Sequence, residues 1–281
     1  MAERIQGPTD AQAPPSPARP LGELKLHPFK STVFGNKRML RVWLPPGYGD
    51  RLSRKRLYPV LYLNDGQNLF DPATAFGGVE WQVDETAQRL IQERRIEPLI
   101  IVGIDNAQEN RIREYVPYRS QDLPVRAVVG KKYPEFLFNE VIPYIHKRYR
   151  VASGPENTGL GGSSLGGLIA LYTAIMRPKH FGRLLVESPS LFIGDRKILR
   201  DSARVKNWPE RIFLGVGTRE LGDDAVKNQK VLDDVRALAE ILRKAGLSGD
   251  RLEVDIDEGA THSEWAWARR FPDALAFLFG K

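Results

Sequence analysis

The nine residues "GLGGSSLGG" at 159–167 crowd five glycines and two serines into one short stretch, and they stand directly before the apolar run "LIALYTAIM". Glycine inside a helix costs about 1 kcal/mol relative to alanine, so a helix that begins this way is built for something besides stability. The pattern G-x-S-x-G is met once here, by Gly162, Ser163, Ser164, Leu165 and Gly166. Ser163 does not fit, because Leu165 occupies the place of its second glycine. Between a strand and a helix such a serine sits on a sharp turn with its hydroxyl pushed outward, while Gly162 and Gly166 let strand and helix approach. The amides that open the helix then point at any anion forming beside Ser164. Two other glycine-rich chemistries fit less well. A phosphate loop needs a lysine that is absent, and the dinucleotide fingerprint begun by Gly159 and Gly161 meets Ser164 at its third glycine, leaving Glu187 as the one feature in its favour.

A serine hydroxyl becomes a nucleophile only beside a base, and the chain has four histidines. His27 precedes the expected core strands, His146 lies late in a helix, and His180 lies in the connection after the helix that follows Ser164. His262 differs: in "DEGATHSEW" it stands between the last expected strand and the last helix, where a loop can reach back over the carboxyl edge of a sheet. The third group, which fixes the imidazole tautomer, is expected between serine and histidine in the chain. The loop "TRELGDD" supplies Glu220, Asp223 and Asp224. Glu220 is nearest the strand end and is preferred, with Asp224 as runner-up; Asp223 and Asp224 would also serve as caps of the next helix. An oxyanion needs two backbone amides, expected from Leu165 and from Gln67 in "LYLNDGQNLF", where Gly66 permits close approach.

These groups need a scaffold that brings loops together at one edge. Apolar runs with strand character at 39–45, 59–65, 99–105, 157–162, 183–188, 211–217 and 251–257 alternate with helical patterns at 80–95, 133–149, 165–177, 224–245 and 263–279. That alternation predicts an α/β architecture with a mostly parallel central sheet flanked by helices and no separate lid domain. Val226, Leu232, Val235, Leu238 and Leu242 mark one face of the fourth helix, and Pro143 should kink the second. Residues 1–22, rich in proline and alanine, are expected to form a disordered tail ahead of one catalytic domain over 23–281.

Composition narrows the chemistry further. With no cysteine among 281 residues, disulfides, thiolate nucleophiles and Cys-ligated metals are excluded, and neither metal nor other cofactor is expected. The net charge of +7 invites a nucleic-acid partner, but the basic clusters "RLSRKR" and "QERR" are short and no binding motif accompanies them, so none is expected. No apolar run approaches the ~20 residues that cross a bilayer, and the N-terminus lacks the core of a secretory signal; no membrane association and a cytoplasmic location are expected.

Taken together, "PVLYLNDGQNLFD", "NRIREYVPY", "GGSSLGGLIALYTAIMRPKHFGRLLVESPSLF", "VGTRE" and "GATHSEW" resemble the esterase family of α/β-hydrolases that includes enterochelin esterase-like proteins, esterase D, feruloyl esterases and mycolyltransferases. The similarity covers nearly all of residues 24–279. It implies a serine hydrolase with Ser164 as nucleophile, His262 as base, the acid at Glu220, and the "DG" of Asp65 and Gly66 supporting Gln67 as oxyanion donor. Where many relatives carry Gly-Gly before the histidine, this chain has Ala260 and Thr261. The expected function is hydrolysis of a small carboxylic ester through an acyl-enzyme; Arg111 and Arg113 either face the pocket and favour an anionic or aromatic acyl group or form salt bridges on the surface. The alternative is a catalytically silent binding protein on the same fold.

Overall fold

The computed structural model describes residues 22–121, 123, 125 and 127–280, so the tail expected over 1–22 lies, Gly22 apart, outside the described residues. Eight strands form one sheet: β1 (Glu23–Lys30), β2 (Lys37–Leu44), β3 (Val60–Asn64), β4 (Ile100–Ile104), β5 (Thr158–Ser163), β6 (Arg183–Glu187), β7 (Arg211–Gly217) and β8 (Leu252–Asp257). Their spatial order is β1-β2-β4-β3-β5-β6-β7-β8. The pairs β1 with β2 and β2 with β4 are antiparallel, and the remaining strands run parallel.

Strands covered on both faces need apolar side chains in both directions, and the alternation sorts them. Val60, Tyr62, Val102, Leu160, Leu184 and Leu214 join one core, whereas Leu61, Leu63, Ile101, Leu185 and Phe213 join the other. The first core is closed by Tyr133–Arg148, α5 (Leu165–Met176) and α7 (Ala225–Lys244), the second by α1 (Val83–Gln92) and α8 (Glu264–Phe279). Helix α5 is buried from Leu165 through Ala174, which is why its sequence is apolar all round instead of striped.

Four features depart from the sequence expectations. Strand β1 is an added antiparallel edge, and Pro28 within it is compatible with an edge position, where a missing N–H breaks no ladder. The segment expected as one helix over 133–149 is α3 (Tyr133–Phe136), a π-helical turn at Leu137–Val141 and α4 (Ile142–Arg148), so the irregularity lies in the turn that precedes Pro143. Two helices were not anticipated, α2 (Arg111–Tyr115) and α6 (Ile193–Ser202). On α7, Leu232, Val235, Leu238 and Leu242 are buried, but Val226 is 68% exposed and belongs to no core face.

Candidate active site

Three adjacent parallel strands end in residues held at positive φ. Asp65 after β3 has φ 59°, Ser164 after β5 has φ 57° and Ser188 after β6 has φ 39°. Such conformations are uncommon for residues with a side chain and persist only where neighbours over-determine them. Around Ser164 the cause is visible. A Cβ on Gly162 would stand 2.8 Å from the carbonyl carbon of Gly166, and one on Gly166 would stand 2.9 Å from Asp65 Oδ2, so the strand, the turn and α5 fit only with glycine at both places. The Ser164 amide donates to the Glu187 carbonyl at 2.9 Å and the Ser164 carbonyl accepts from Leu168. The first helical amide, that of Leu165, has no partner within its own helix.

Glu220 and His262 are brought together. His262 Nδ1 lies 2.5 Å from Glu220 Oε2, while Oε1 accepts from Ser188 Oγ and from the Gly217 amide, both at 2.6 Å. Burial by itself pushes the Glu220 carboxyl up, but the bonds from His262, Ser188 and Gly217 outweigh it and hold the group below its ordinary value. Asp224 instead caps α7 by accepting from the Lys227 amide, and Asp223 pairs with Arg219. The loop carrying His262 has its positive φ at Gly259, so Ala260 and Thr261 need no glycine-like conformation. Room for Ala260 is made across the loop, since a Cβ on Gly217 would meet the Ala260 carbonyl oxygen at 2.2 Å. The other histidines are engaged elsewhere: His27 with Tyr149 and His180 with the Pro178 carbonyl, and His146 lies in α4.

Ser164 and His262 both border two cavities. One, of about 440 Å³, has Phe192, Leu221 and Val231 as apolar walls with Arg196, Lys227 and Lys230 around them. The other, of about 410 Å³, is polar, walled by Gln67, Asn68, Asn106, Arg111 and Glu264 among others. Between them Ser164 Oγ lies 3.4 Å from Ser190 Oγ. Gln67 is held by its own groups, its side-chain oxygen accepting from the Asn106 amide and its carbonyl from Thr74. The Gly66 before it packs against the end of β4, where a Cβ would stand 2.5 Å from the carbonyl carbon of Gly103.

The two arginines separate. Arg111 borders the polar cavity but grips Asp65 through two bonds of 2.7 Å, and that carboxylate raises its already high pKa against the effect of burial. Arg113 lines a different cavity of about 190 Å³, with Asn36, Glu114 and Lys132, whose walls include neither Ser164 nor His262. The structure therefore removes Arg113 from the candidate site. Glu187, the one feature above in favour of a dinucleotide site, is fully buried and bound to Arg270. No group of three or more His, Cys, Asp or Glu among the described residues could hold a metal ion. No described helix is long and apolar enough to cross a membrane.

Residues 31–278 match the family model described as "Putative esterase". The chain belongs to this family of carboxylic ester hydrolases. It is 27% identical over 251 residues to the uncharacterized protein YbbA of Bacillus subtilis, covering 88% of this chain and 94% of that one. It is 30% identical over 237 residues to the iron(III) enterobactin esterase of Dickeya dadantii, covering 78% of this chain but only 48% of the relative. Among solved structures, the BES protein from Bacillus cereus superposes with a TM-score of 0.71 at 18% identity, over 96% of this chain and 99% of that one. The enterobactin esterase of Shigella flexneri superposes with a TM-score of 0.69 at 20% identity, over 95% of this chain and 60% of that one. The fold is that of the α/β-hydrolases.

Sequence reasoning missed Ser188, Ser190, Trp267, Arg270 and the walls of the apolar cavity. Trp267 and Arg270 lie three residues apart on α8 and so share a face, but no spacing in the sequence ties that face to Ser188.

Proposed function

We propose that this chain is a serine carboxylesterase. Ser164 Oγ attacks the carbonyl of a small ester while His262 Nε2 takes its proton, and Glu220 holds the imidazole through Nδ1–H and stabilises it when charged. The amides of Leu165 and Gln67 receive the oxyanion, the first at the positive end of α5. The protonated imidazole then returns its proton to the departing alcohol, and a water activated by His262 releases the acid.

The observation that carries this reading is the junction of the two cavities. The strained serine and the carboxylate-bound histidine both border each cavity, so an ester laid across them presents its scissile carbonyl to both groups. In the resting state Ser164 Oγ has Ser190 Oγ as neighbour at 3.4 Å, a long contact that substrate binding is expected to replace. The apolar cavity suits an acyl group with aromatic or aliphatic carbon, and its rim of Arg196, Lys227 and Lys230 favours a negative charge on that group. Arg196 is paired with Asp234 and Lys227 with Asp224, which leaves Lys230 as the cation without a partner among the described residues. Relatives named as siderophore esterases support a small-molecule ester as the substrate.

The test is labelling with a fluorophosphonate probe followed by peptide mapping. Modification at Ser164, lost in Ser164→Ala along with ester hydrolysis, is the expected result. A folded protein that hydrolyses esters while Ser164 stays unlabelled overturns the proposal.

A further inference from the structure

We propose that Ser188 is a positioning residue that fixes the ionised form and the orientation of Glu220, and that α8 enforces this through Trp267 and Arg270. The proposal rests on the serine esterase reading only for its kinetic part, because the hydrogen-bond arrangement stands by itself.

The argument is an inventory of one proton. A serine hydroxyl has a single hydrogen to donate and two lone pairs with which to accept. Trp267 Nε1 lies 2.9 Å from Ser188 Oγ and can only donate; Arg270 Nη2 lies 3.2 Å away and can only donate. Both lone pairs are thereby taken. The hydrogen goes to the remaining neighbour, Glu220 Oε1 at 2.6 Å. The Gly217 amide donates to the same oxygen. With two donors on Oε1 and the carboxyl held below its ordinary value by these bonds, Glu220 is a carboxylate and Oε2 accepts from His262 Nδ1. That assigns the Nδ1–H tautomer and leaves His262 Nε2 as the acceptor that can face Ser164.

The donors themselves cannot turn away. Arg270 is buried, its guanidinium bonded to Glu187 Oε2 at 2.7 and 2.9 Å and to Asp257 at 3.3 Å. The Trp267 ring stands edge-on to the His262 ring, with centroids 5.0 Å apart and an interplanar angle of 87°, so one side chain braces the imidazole and orders the hydroxyl behind it. Ser188 also holds its own place, with its amide donating to the Gly215 carbonyl at 2.8 Å. Around Glu220 the charged groups are therefore His262 on one side and Arg270 with Glu187 on the other.

The experiment compares Ser188→Ala and Trp267→Phe with the wild type, by ester kinetics across pH and by the NMR resonance of the His262 Nδ1 proton. Expected for Ser188→Ala is a kcat lower by about tenfold with KM changed less than about twofold, since geometry and not binding is lost. The acid limb of kcat/KM moves to higher pH, because Glu220 loses a bond that favours its charged form. The Nδ1 proton resonance shifts and broadens. Trp267→Phe, which keeps a ring beside His262 and the hydroxyl on Ser188, is expected to shift both readouts in the same direction by less, and it carries the test if Ser188→Ala does not fold. Unchanged kcat and acid limb with an unmoved Nδ1 resonance overturn the proposal. A chain in which Ser164 proves not to be the nucleophile would refute the esterase mechanism while the resonance still decides the role of Ser188.

Discussion

Arg111 lies across Asp65 with two parallel bonds, Nε to Oδ1 and Nη2 to Oδ2, each 2.7 Å long. Asp65 is itself at positive φ, 4% exposed, and also accepts from Asn106 Nδ2. The pair thus clamps the turn that presents Gln67 to the polar cavity.

Truncating Arg111 to methionine is expected to strand a buried carboxylate and destabilise the fold by roughly 1–3 kcal/mol, less than a fully buried pair because the guanidinium is partly open to water. The folded remainder should show a lower kcat, while Arg113→Ala leaves kcat and KM for the same ester unchanged. Urea unfolding and steady-state kinetics on the two variants separate these effects.

The backbone at Ser164 makes the second prediction. Both Ser164→Ala and Ser164→Gly should reduce turnover by a factor of about a thousand or more. Only glycine relieves the positive φ, so Ser164→Gly should be more stable than Ser164→Ala by about 1 kcal/mol, read from denaturant midpoints.

Close approach at the elbow makes the third. A Cβ on Gly162 would meet the Gly166 carbonyl carbon and oxygen at 2.8 and 2.9 Å and Asn64 Cβ at 3.0 Å, backbone atoms among them that cannot swing aside. Gly162→Ala should cost typically 1–3 kcal/mol and displace Ser164, giving a protein that melts earlier and reacts more slowly with a fluorophosphonate.

Lys230 makes the fourth. For an ester with a negatively charged acyl group, Lys230→Glu should raise KM by roughly two- to fivefold, the range of a weak exposed ion pair, and leave a neutral ester of the same shape unaffected. The difference should fade as salt is added, which parallel assays at low and high ionic strength would show.

Stability against pH makes the fifth. Burial, then the charges of Glu85 and Asp71, push Glu80 up to about 7, and burial with Glu85 raises neighbouring Asp84 as well. Glu80 Oε2 and Asp84 Oδ1 have no hydrogen-bond partner among the described residues, so neither oxygen is prepared to hold charge. Raised groups favour the fold fully below their unfolded values, 4.5 for Glu80 and 3.8 for Asp84, and that stability is lost as pH rises through the folded values near 7. Glu220 has the opposite sign: its contribution is present above 4.5 and lost as pH falls through its lowered value. Urea midpoints should therefore drop between about pH 4.5 and about pH 7, and Glu80→Gln should make that drop smaller.

The parallel strands β3, β4, β7 and β8 could be read from the chain because each is a strand-like run closed by glycine or aspartate, and the G-x-S-x-G turn marks the end of β5. Strand β1 escaped because Pro28 interrupts "ELKLHPFK", which only an edge tolerates. Helix α6 escaped because Gly194, Asp195 and Arg196 all sit at positive φ near its start, so no capping or periodic signal announces it. The bond from Glu220 to His262 follows from loops on neighbouring strands, β7 and β8, a relation that chain order suggests. Ser188, Trp267 and Arg270 are different: their meaning lies in two contacts between the end of β6 and α8, and nothing in their spacing shows which atoms meet.

Ser164 stands where two chambers of unlike lining meet, and that arrangement separates traffic. In the proposed mechanism, an alcohol leaving through the polar chamber would let the acyl half stay seated in the apolar one while the next reactant arrives by the vacated route. Water and a second alcohol would then compete for the same doorway, and its hydrophilic furnishing would decide between hydrolysis and passing the acyl group on.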